Sequence, residues 1–286
     1  MNYTINEFNK DFPNDDVCLD TLFKLRYGES IICPHCGVVR AKFYRVKNRK
    51  CYECKDCGHQ LHPLGGTIFH KSDTPLTKWF FAIYLFSNAR NGVAAKELER
   101  HLGVTYKCAW RIAKQIRLLM DQDIKLSGIV EVDETYIGGK VSNRSKSRKD
   151  LDDTKQVLMG MVERDGNAKV YHVKSSGSLS LIPKIRENIK PESEIYSDEY
   201  RAYLVLPKLG YLHRSVKHRA QEYVRGNVHT NTIEGFWSQF KRSVNGTYHA
   251  VSPKYLQLYV NEFAFRYNHR LTPVYQTLLA KASKQV

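Results

Sequence analysis

The sequence predicts an α/β chain in three parts: a cysteine-clamped ribbon, a helical segment and a domain built on a mixed sheet. Three observations carry that prediction. Five of the seven cysteines crowd between residues 33 and 57. From Thr74 to Asp121 apolar residues recur at three- and four-residue intervals, and from Gly128 onward they alternate instead. The expected boundaries are residues 1–72, 73–125 and 126–286.

With 42% hydrophobic and 12% aromatic residues the chain is expected to fold, and its 286 residues are enough for more than one core. A net charge of +16 calls for a densely negative partner, with nucleic acid ahead of an anionic membrane surface. The apolar run at 79–86 is far shorter than the roughly 20 residues that span a bilayer, so no membrane role is expected. The first 30 residues hold acids and amides where a signal peptide would be basic and then apolar. The expected location is cytoplasmic, in association with the nucleoid.

In the first part, Cys33-Pro-His-Cys36 and Cys54-Lys-Asp-Cys57 form two C-x2-C knuckles, each followed by a glycine. Four thiolates suit one tetrahedral structural Zn²⁺ and leave no open position for chemistry. Cys51 offers an alternative knuckle with Cys54, but the glycine after Cys57 favours the 54/57 pair. Cys18 and Cys108 lie outside the cluster and are expected to be small buried hydrophobes. Arg40, Lys42, Arg45, Lys47, Arg49 and Lys50, between the knuckles, either face phosphates or form a solvated loop.

The second part opens with a helix whose Leu76, Phe80, Ile83 and Tyr84 share a face. Residues 92–120 then read as a helix, a turn at Gly103-Val104 and a second helix, with Leu98, Leu102, Val104, Ala109, Ile112, Ala113 and Ile116 on the apolar side. Lys107, Arg111, Lys114 and Arg117 are expected to face solvent, as on a recognition helix lying in a groove. The alternative is a plain helical hairpin packed on its neighbour.

The third part begins with GIVEVDETYIGG (128–139), whose alternation puts Ile129, Glu131 and Asp133 on one face and Val130 and Val132 on the other. Residues 155–173 read as two strands joined at Asp165-Gly166, 181–189 as a helix, and 193–198 as a strand ending at Asp198. Strand termini are where mixed α/β sheets place ligands.

A further helix is expected from Asn231. There Ile233, Trp237, Phe240 and Val244 fall within about 60° of one another, with Glu234 at about 100° and Lys241 at about 80° from Ile233, on the flank of that stripe. Asn231 lies at about 160°, further toward water. Asn231 and Glu234 also fit a capping box, which would explain the glutamate without chemistry. Against that reading, Asp133, Asp198 and Glu234 together supply the hard oxygen ligands that two divalent cations require. Two Mg²⁺ ions about 3.5–4 Å apart can activate a water or a 3′-hydroxyl for in-line attack on a phosphodiester.

The stretches CPHCG, CKDCG, GGTIFHKS, VEVDETYIGGK, YSDEYRAY and HTNTIEGFWSQFKR, in this order, resemble the DDE-type transposases of bacterial insertion sequences, in the group with an N-terminal zinc ribbon. The similarity runs from about residue 15 to residue 275. It implies an RNase H-like catalytic domain that binds the terminal inverted repeats of an element and performs strand cleavage and strand transfer with two Mg²⁺ or Mn²⁺ ions. Carried over to this sequence, Asp133, Asp198 and Glu234 become the acidic ligands, with 36 residues from Asp198 to Glu234, and Lys241 seven further on becomes a catalytic DNA contact. Some members carry asparagine at the third position, which would select Asn231 instead. Glu131 and Glu134 are candidate helpers.

The basic loop at 140–150 would lie beside DNA held at Asp133 and offers Lys140, Arg144, Lys146 and Arg148 as contacts. His218, Arg219, Arg225 and His229 precede the catalytic helix, and a helix over 252–270, begun by Ser252 and Pro253, is expected to cover the sheet. The expected partners are double-stranded DNA, as element ends and as target, and a second copy of the chain on that DNA. Two other functions share parts of this pattern: a non-catalytic regulator built on the ribbon and helix-turn-helix, and an RNase H-like nuclease that cuts without joining.

Overall fold

The computed structural model describes residues 3–138, 155–217 and 224–284. The chain divides into two units, Met1–Leu119 with Thr272–Val286, and Met120–Leu271.

The first unit opens with two helices that patterning did not announce, α1 (Ile5–Asp11) and α2 (Asp15–Tyr27). Thr4 and Glu7 form a capping box on α1, and the Asn14 side chain caps α2. The ribbon follows as a three-stranded antiparallel sheet of β1 (Phe43–Arg45), β2 (Tyr52–Cys54) and β3 (Gln60–Leu61). So small a sheet has little core of its own, and it leans on α2. The Phe23 and Tyr52 rings stack 4.0 Å apart, the Tyr52 hydroxyl donates to Asp20, and Arg26 donates to the carbonyls of Pro63 and Gly65.

Helix α3 (Leu76–Asn88) buries Trp79, Phe80, Ile83 and Phe86, and its first N–H groups, on Leu76 and Thr77, donate to Asp15. Helix α4 (Ala95–Leu102) ends at Gly103, whose φ of 57° is left-handed, and α5 (Tyr106–Leu118) starts on a Thr105 cap. This is the expected helix, turn and helix. One expectation fails on it: Arg117 does not face solvent. It is buried, donates to the Val93 carbonyl at 2.9 Å, and lies 5.2 Å from the Phe86 ring centroid. Its position one turn after Ala113, on the apolar face, decides its direction.

The second unit is built on a five-stranded mixed sheet of β4 (Ile129–Ile137), β5 (Gln156–Glu163), β6 (Ala168–Val173), β7 (Glu194–Ser197) and β8 (Leu212–Ser215). Its order is β6-β5-β4-β7-β8, with the first three strands in sequence antiparallel and β7 and β8 parallel to β4. This is the mixed sheet expected of the C-terminal domain. Helix α6 (Ser178–Asn188) joins β6 to β7, and its Leu181 and Ile185 pack with Val130, Val132, Met159, Met161 and Ile195 on one face. Helices α7 (Asn231–Ser243) and α8 (Leu256–Asn268) cover the other, where Ile233, Trp237 and Phe240 meet Leu158, Val162, Val170, Val260 and Phe263.

Helices therefore lie on both faces, and the polar side of the alternating strand β4 is no solvent face. Glu131 is fully buried. The outer edge of β6 is closed by amide side chains from α8: Asn268 bonds the N–H and carbonyl of Ala168, and Gln257 bonds the carbonyl of Val170 and the N–H of His172. The last helix, α9 (Val274–Ala282), belongs to the first unit, where Tyr275 stacks on Tyr3 at 4.7 Å.

Candidate active site

Asp133 sits mid-strand on β4, Asp198 directly after the last residue of the adjacent parallel strand β7, and Glu234 in the first turn of α7. The helix delivers its glutamate to the sheet because its buried stripe of Ile233, Trp237 and Phe240 packs there, which leaves position 234 on the flank. The capping box proposed for Asn231 and Glu234 does not form. Asn231 is already the first helical residue, Thr230 occupies the cap without a side-chain cap bond, and the Thr230 hydroxyl donates to Glu234 at 2.9 Å. The orphan N–H groups of Thr232 and Ile233 donate instead to Glu131, at 2.8 and 3.1 Å.

The Asp133 carboxyl is pushed up to about 7, by burial first, and then by the negative charges of Asp198 and Glu234. The N–H of Glu134 and the Trp237 indole oppose that shift, the indole donating to Oδ2 at 3.1 Å. The Trp237 ring reaches Asp133 over Gly160, the residue across the ladder from it. A Cβ on Gly160 would lie 2.5 Å from the Trp237 ring and 3.0 Å from Ile233. Asp198 accepts the Tyr200 N–H at 3.0 Å, which holds the turn after β7.

Beside these lies Glu134, pushed up to about 8, by burial first, lowered in part by the Tyr203 hydroxyl that donates to it, and raised again by Asp133 and Asp198. Tyr203 itself is buried and comes from the 3₁₀ segment Arg201–Leu209. Asp133, raised by Asp198 and Glu234, and Glu134, raised by Asp133 and Asp198, belong to an all-carboxylate donor set that suits hard divalent cations. Asp133, Asp198 and Glu234 do not form a group whose ligand atoms all lie within 4.8 Å of one another. Among the described residues, only Cys33, Cys36, Cys54 and Cys57 bring ligand atoms all within 4.8 Å of one another.

Those four cysteines meet between the two knuckles, where Gly37 and Gly58 take left-handed φ values of 72° and 71°. The Cys33 thiol is drawn down to about 6 by the backbone N–H of Cys36, against burial and with help from the N–H of His35. The donor set fits a four-thiolate structural zinc site. Cys51 is not in it; its thiol stands 3.7 Å from Gln60 Oε1. Cys18 is buried, and Cys108 is half-buried beside the Thr74 hydroxyl.

The family model for the ISXO2-like transposase domain matches residues 125–268. The chain belongs to this transposase family. A transposase zinc-ribbon model matches residues 13–60, over the cysteine knuckles. An uncharacterized protein of the transposable element ISH50 from Halobacterium salinarum is 28% identical over 275 residues, or 90% of this transposase and 92% of that protein. An uncharacterized transposase-like protein of Haemophilus influenzae is 31% identical over 103 residues, 35% of this chain and 82% of its own. A chain in the cryo-EM structure of the simian T-cell lymphotropic virus intasome with PP2A regulatory subunit B56 gamma overlaps 58% of this transposase and 63% of itself, at a TM-score of 0.32 and 16% identity. The family assignment does not rest on it.

Of the other sequence-derived positions, Lys241 is exposed in the last turn of α7 and Asn231 is exposed in its first. Lys107 is exposed on α5, while Arg111 and Lys114 are half-buried, each 5.9 Å from the ring of Trp79 and Trp110 respectively. Lys140, Arg144, Lys146 and Arg148, with His218 and Arg219, lie outside the described residues. The Trp237 and Tyr203 donors to the acidic groups had no sequence signal: each reads as an apolar position in its segment. No described helix is long and apolar enough to cross a membrane.

Proposed function

We propose that this transposase binds the terminal inverted repeats of an insertion sequence and catalyses cation-dependent strand cleavage and strand transfer at Asp133, Asp198 and Glu234. The observation that carries this reading is that Asp133 in the middle of β4, Asp198 just past the end of its parallel neighbour β7 and Glu234 in the first turn of α7, 65 and 36 residues apart along the chain, lie near enough for Asp198 and Glu234 to raise the Asp133 carboxyl. Two Mg²⁺ or Mn²⁺ ions bound there would lower the barrier to in-line displacement by activating the attacking oxygen and stabilising the leaving one. The chain's part is to hold three carboxylates toward the cations, to orient Asp133 by the Trp237 N–H, and to contact phosphate through Lys241. Water attacks the phosphodiester at the element end and the P–O bond to the 3′-oxygen breaks, leaving a 3′-hydroxyl. That hydroxyl then attacks a target phosphodiester, forming a new P–O bond as the target's P–O bond to its 3′-oxygen breaks and a target 3′-hydroxyl leaves.

Glu234 is favoured over Asn231 as the third ligand because it acts on Asp133 and carries charge. A zinc-filled ribbon, Lys107, Arg111 and Lys114 on α5, and the loop at 140–150 would supply non-catalytic DNA contacts. Two element ends need two active sites, so a homodimer on DNA is part of the proposal, at work in the cytoplasm on nucleoid DNA.

The test is cleavage of a duplex carrying an element end, with Mg²⁺, Mn²⁺ or chelator. Wild-type protein is expected to nick the end only with cation. Asp133→Asn, Asp198→Asn and Glu234→Gln should each bind the end but leave it intact. Nicking by all three variants at the wild-type rate would refute the assignment.

A further inference from the structure

Two residues before each of the three acidic groups stands a residue of a single cluster centred on the fully buried Glu131: Glu131 before Asp133, Tyr196 before Asp198, Thr232 before Glu234. Glu131 and Tyr196 are paired across the parallel ladder of β4 and β7. One Glu131 oxygen accepts the N–H groups of Thr232 and Ile233, and the other accepts the Thr232 hydroxyl at 2.9 Å and Arg164 Nε at 2.8 Å. His229 Nδ1 lies 3.3 Å from that second oxygen. Arg164, at the end of β5, also donates to the carbonyls of Asn227 and His229, at 2.7 and 3.2 Å, and lies 4.8 Å from the Tyr196 ring centroid.

A carboxylate with no exposure is costly to bury, and as a stability device an apolar residue of equal volume often serves as well. What this pair supplies is direction. A hydrophobic contact would let α7 slide or rotate on the sheet, whereas two N–H bonds to one oxygen fix the helix start in both depth and angle. Arg164 then ties the second oxygen to the loop that enters α7 and to Tyr196, on the strand that runs up to Asp198.

We infer that Glu131 and Arg164 are positioning residues that set the mutual placement of Asp133, Asp198 and Glu234, and so set how tightly the site takes divalent cations. This rests on the proposed cation site. Neither residue touches a reacting atom.

The experiment compares full-length wild type, Glu131→Gln, Glu131→Asp and Arg164→Lys for end binding, thermal unfolding, and end cleavage titrated with Mg²⁺ and with Mn²⁺. Lysine keeps the charge of Arg164 but cannot span its three oxygen acceptors. Folded variants are expected to bind the end as wild type does but to need at least about tenfold more Mg²⁺ for half-maximal cleavage, because misplaced ligands penalise the ion that demands near-ideal octahedral geometry. Mn²⁺ should restore part of the rate. Variants that melt earlier yet keep the wild-type Mg²⁺ requirement would overturn the inference and leave a structural ion pair. If Glu131→Gln does not fold, Glu131→Asp and Arg164→Lys carry the same comparison. Wild type that cleaves nothing under any cation counts against the proposed function itself, whereas active wild type with cation-indifferent variants counts only against the positioning role.

Discussion

Trp237 donates its indole N–H to the Asp133 carboxylate at 3.1 Å, across a gap that Gly160 leaves open. The contact joins the strand and the helix that carry two of the three acidic groups. Gly160→Ala should push the ring off Asp133, with a destabilisation of about 1–3 kcal/mol as for other overpacked cores. Denaturant unfolding and end cleavage check it together. Wild-type stability with wild-type cleavage would show that the ring is not confined there.

Trp237→Phe keeps the ring volume in part and removes the donor. Because that N–H holds the Asp133 carboxyl down, its loss should move the ascending limb of the pH–rate profile to higher pH. A profile that stays in place would argue against a direct effect on Asp133.

With Asp133 raised to about 7 and Glu134 to about 8, both groups keep protons in the folded chain that they lose at about 4 when unfolded. The folded state then binds more protons than the unfolded one between those values, so cation-free protein should lose stability as pH rises from about 4 to about 8. Cations compete with the same protons. Raising Mg²⁺ should therefore shift the cleavage limb to lower pH, and melting curves over pH with and without Mg²⁺ should diverge most above about 7.

Arg117 and Lys107 lie on the same helix and should separate cleanly. Arg117→Ala removes a buried cation from the Val93 carbonyl and the Phe86 ring, and its melting point should drop, for a cost of about 1.5–3 kcal/mol. Lys107→Ala should melt as wild type and lower the slope of log binding constant against log salt by about one. The reverse pattern would mean that α5 presents a different face to DNA.

Strong local patterns were legible in the sequence. The paired knuckles gave the four-cysteine set, the alternation at 128–139 gave β4, and the apolar runs joined at Asp165-Gly166 gave β5 and β6, because strand and turn chemistry act over a few residues. The place of Glu234 on the flank of the α7 stripe follows from helical periodicity over the same short range. What stayed hidden depends on contacts distant in sequence. Glu131 read as a polar strand residue and a candidate helper, and nothing in its neighbourhood shows that it accepts the N–H of Thr232, 101 residues later, at the start of α7. Arg117 read as solvent-facing because its charge outweighed its position on the apolar face. Helix α9 carries no mark that assigns it to the first unit, since that depends on Tyr275 meeting Tyr3.

Direct cation binding by the full-length protein on end DNA tests the central claim most plainly. Mn²⁺ titration followed by electron paramagnetic resonance should find about two ions per wild-type active site, with that binding strongly weakened in Glu234→Gln and little changed in Asn231→Ala. Equal Mn²⁺ binding by wild type and Glu234→Gln, with loss in Asn231→Ala, would contradict the assignment of Glu234 as the third ligand.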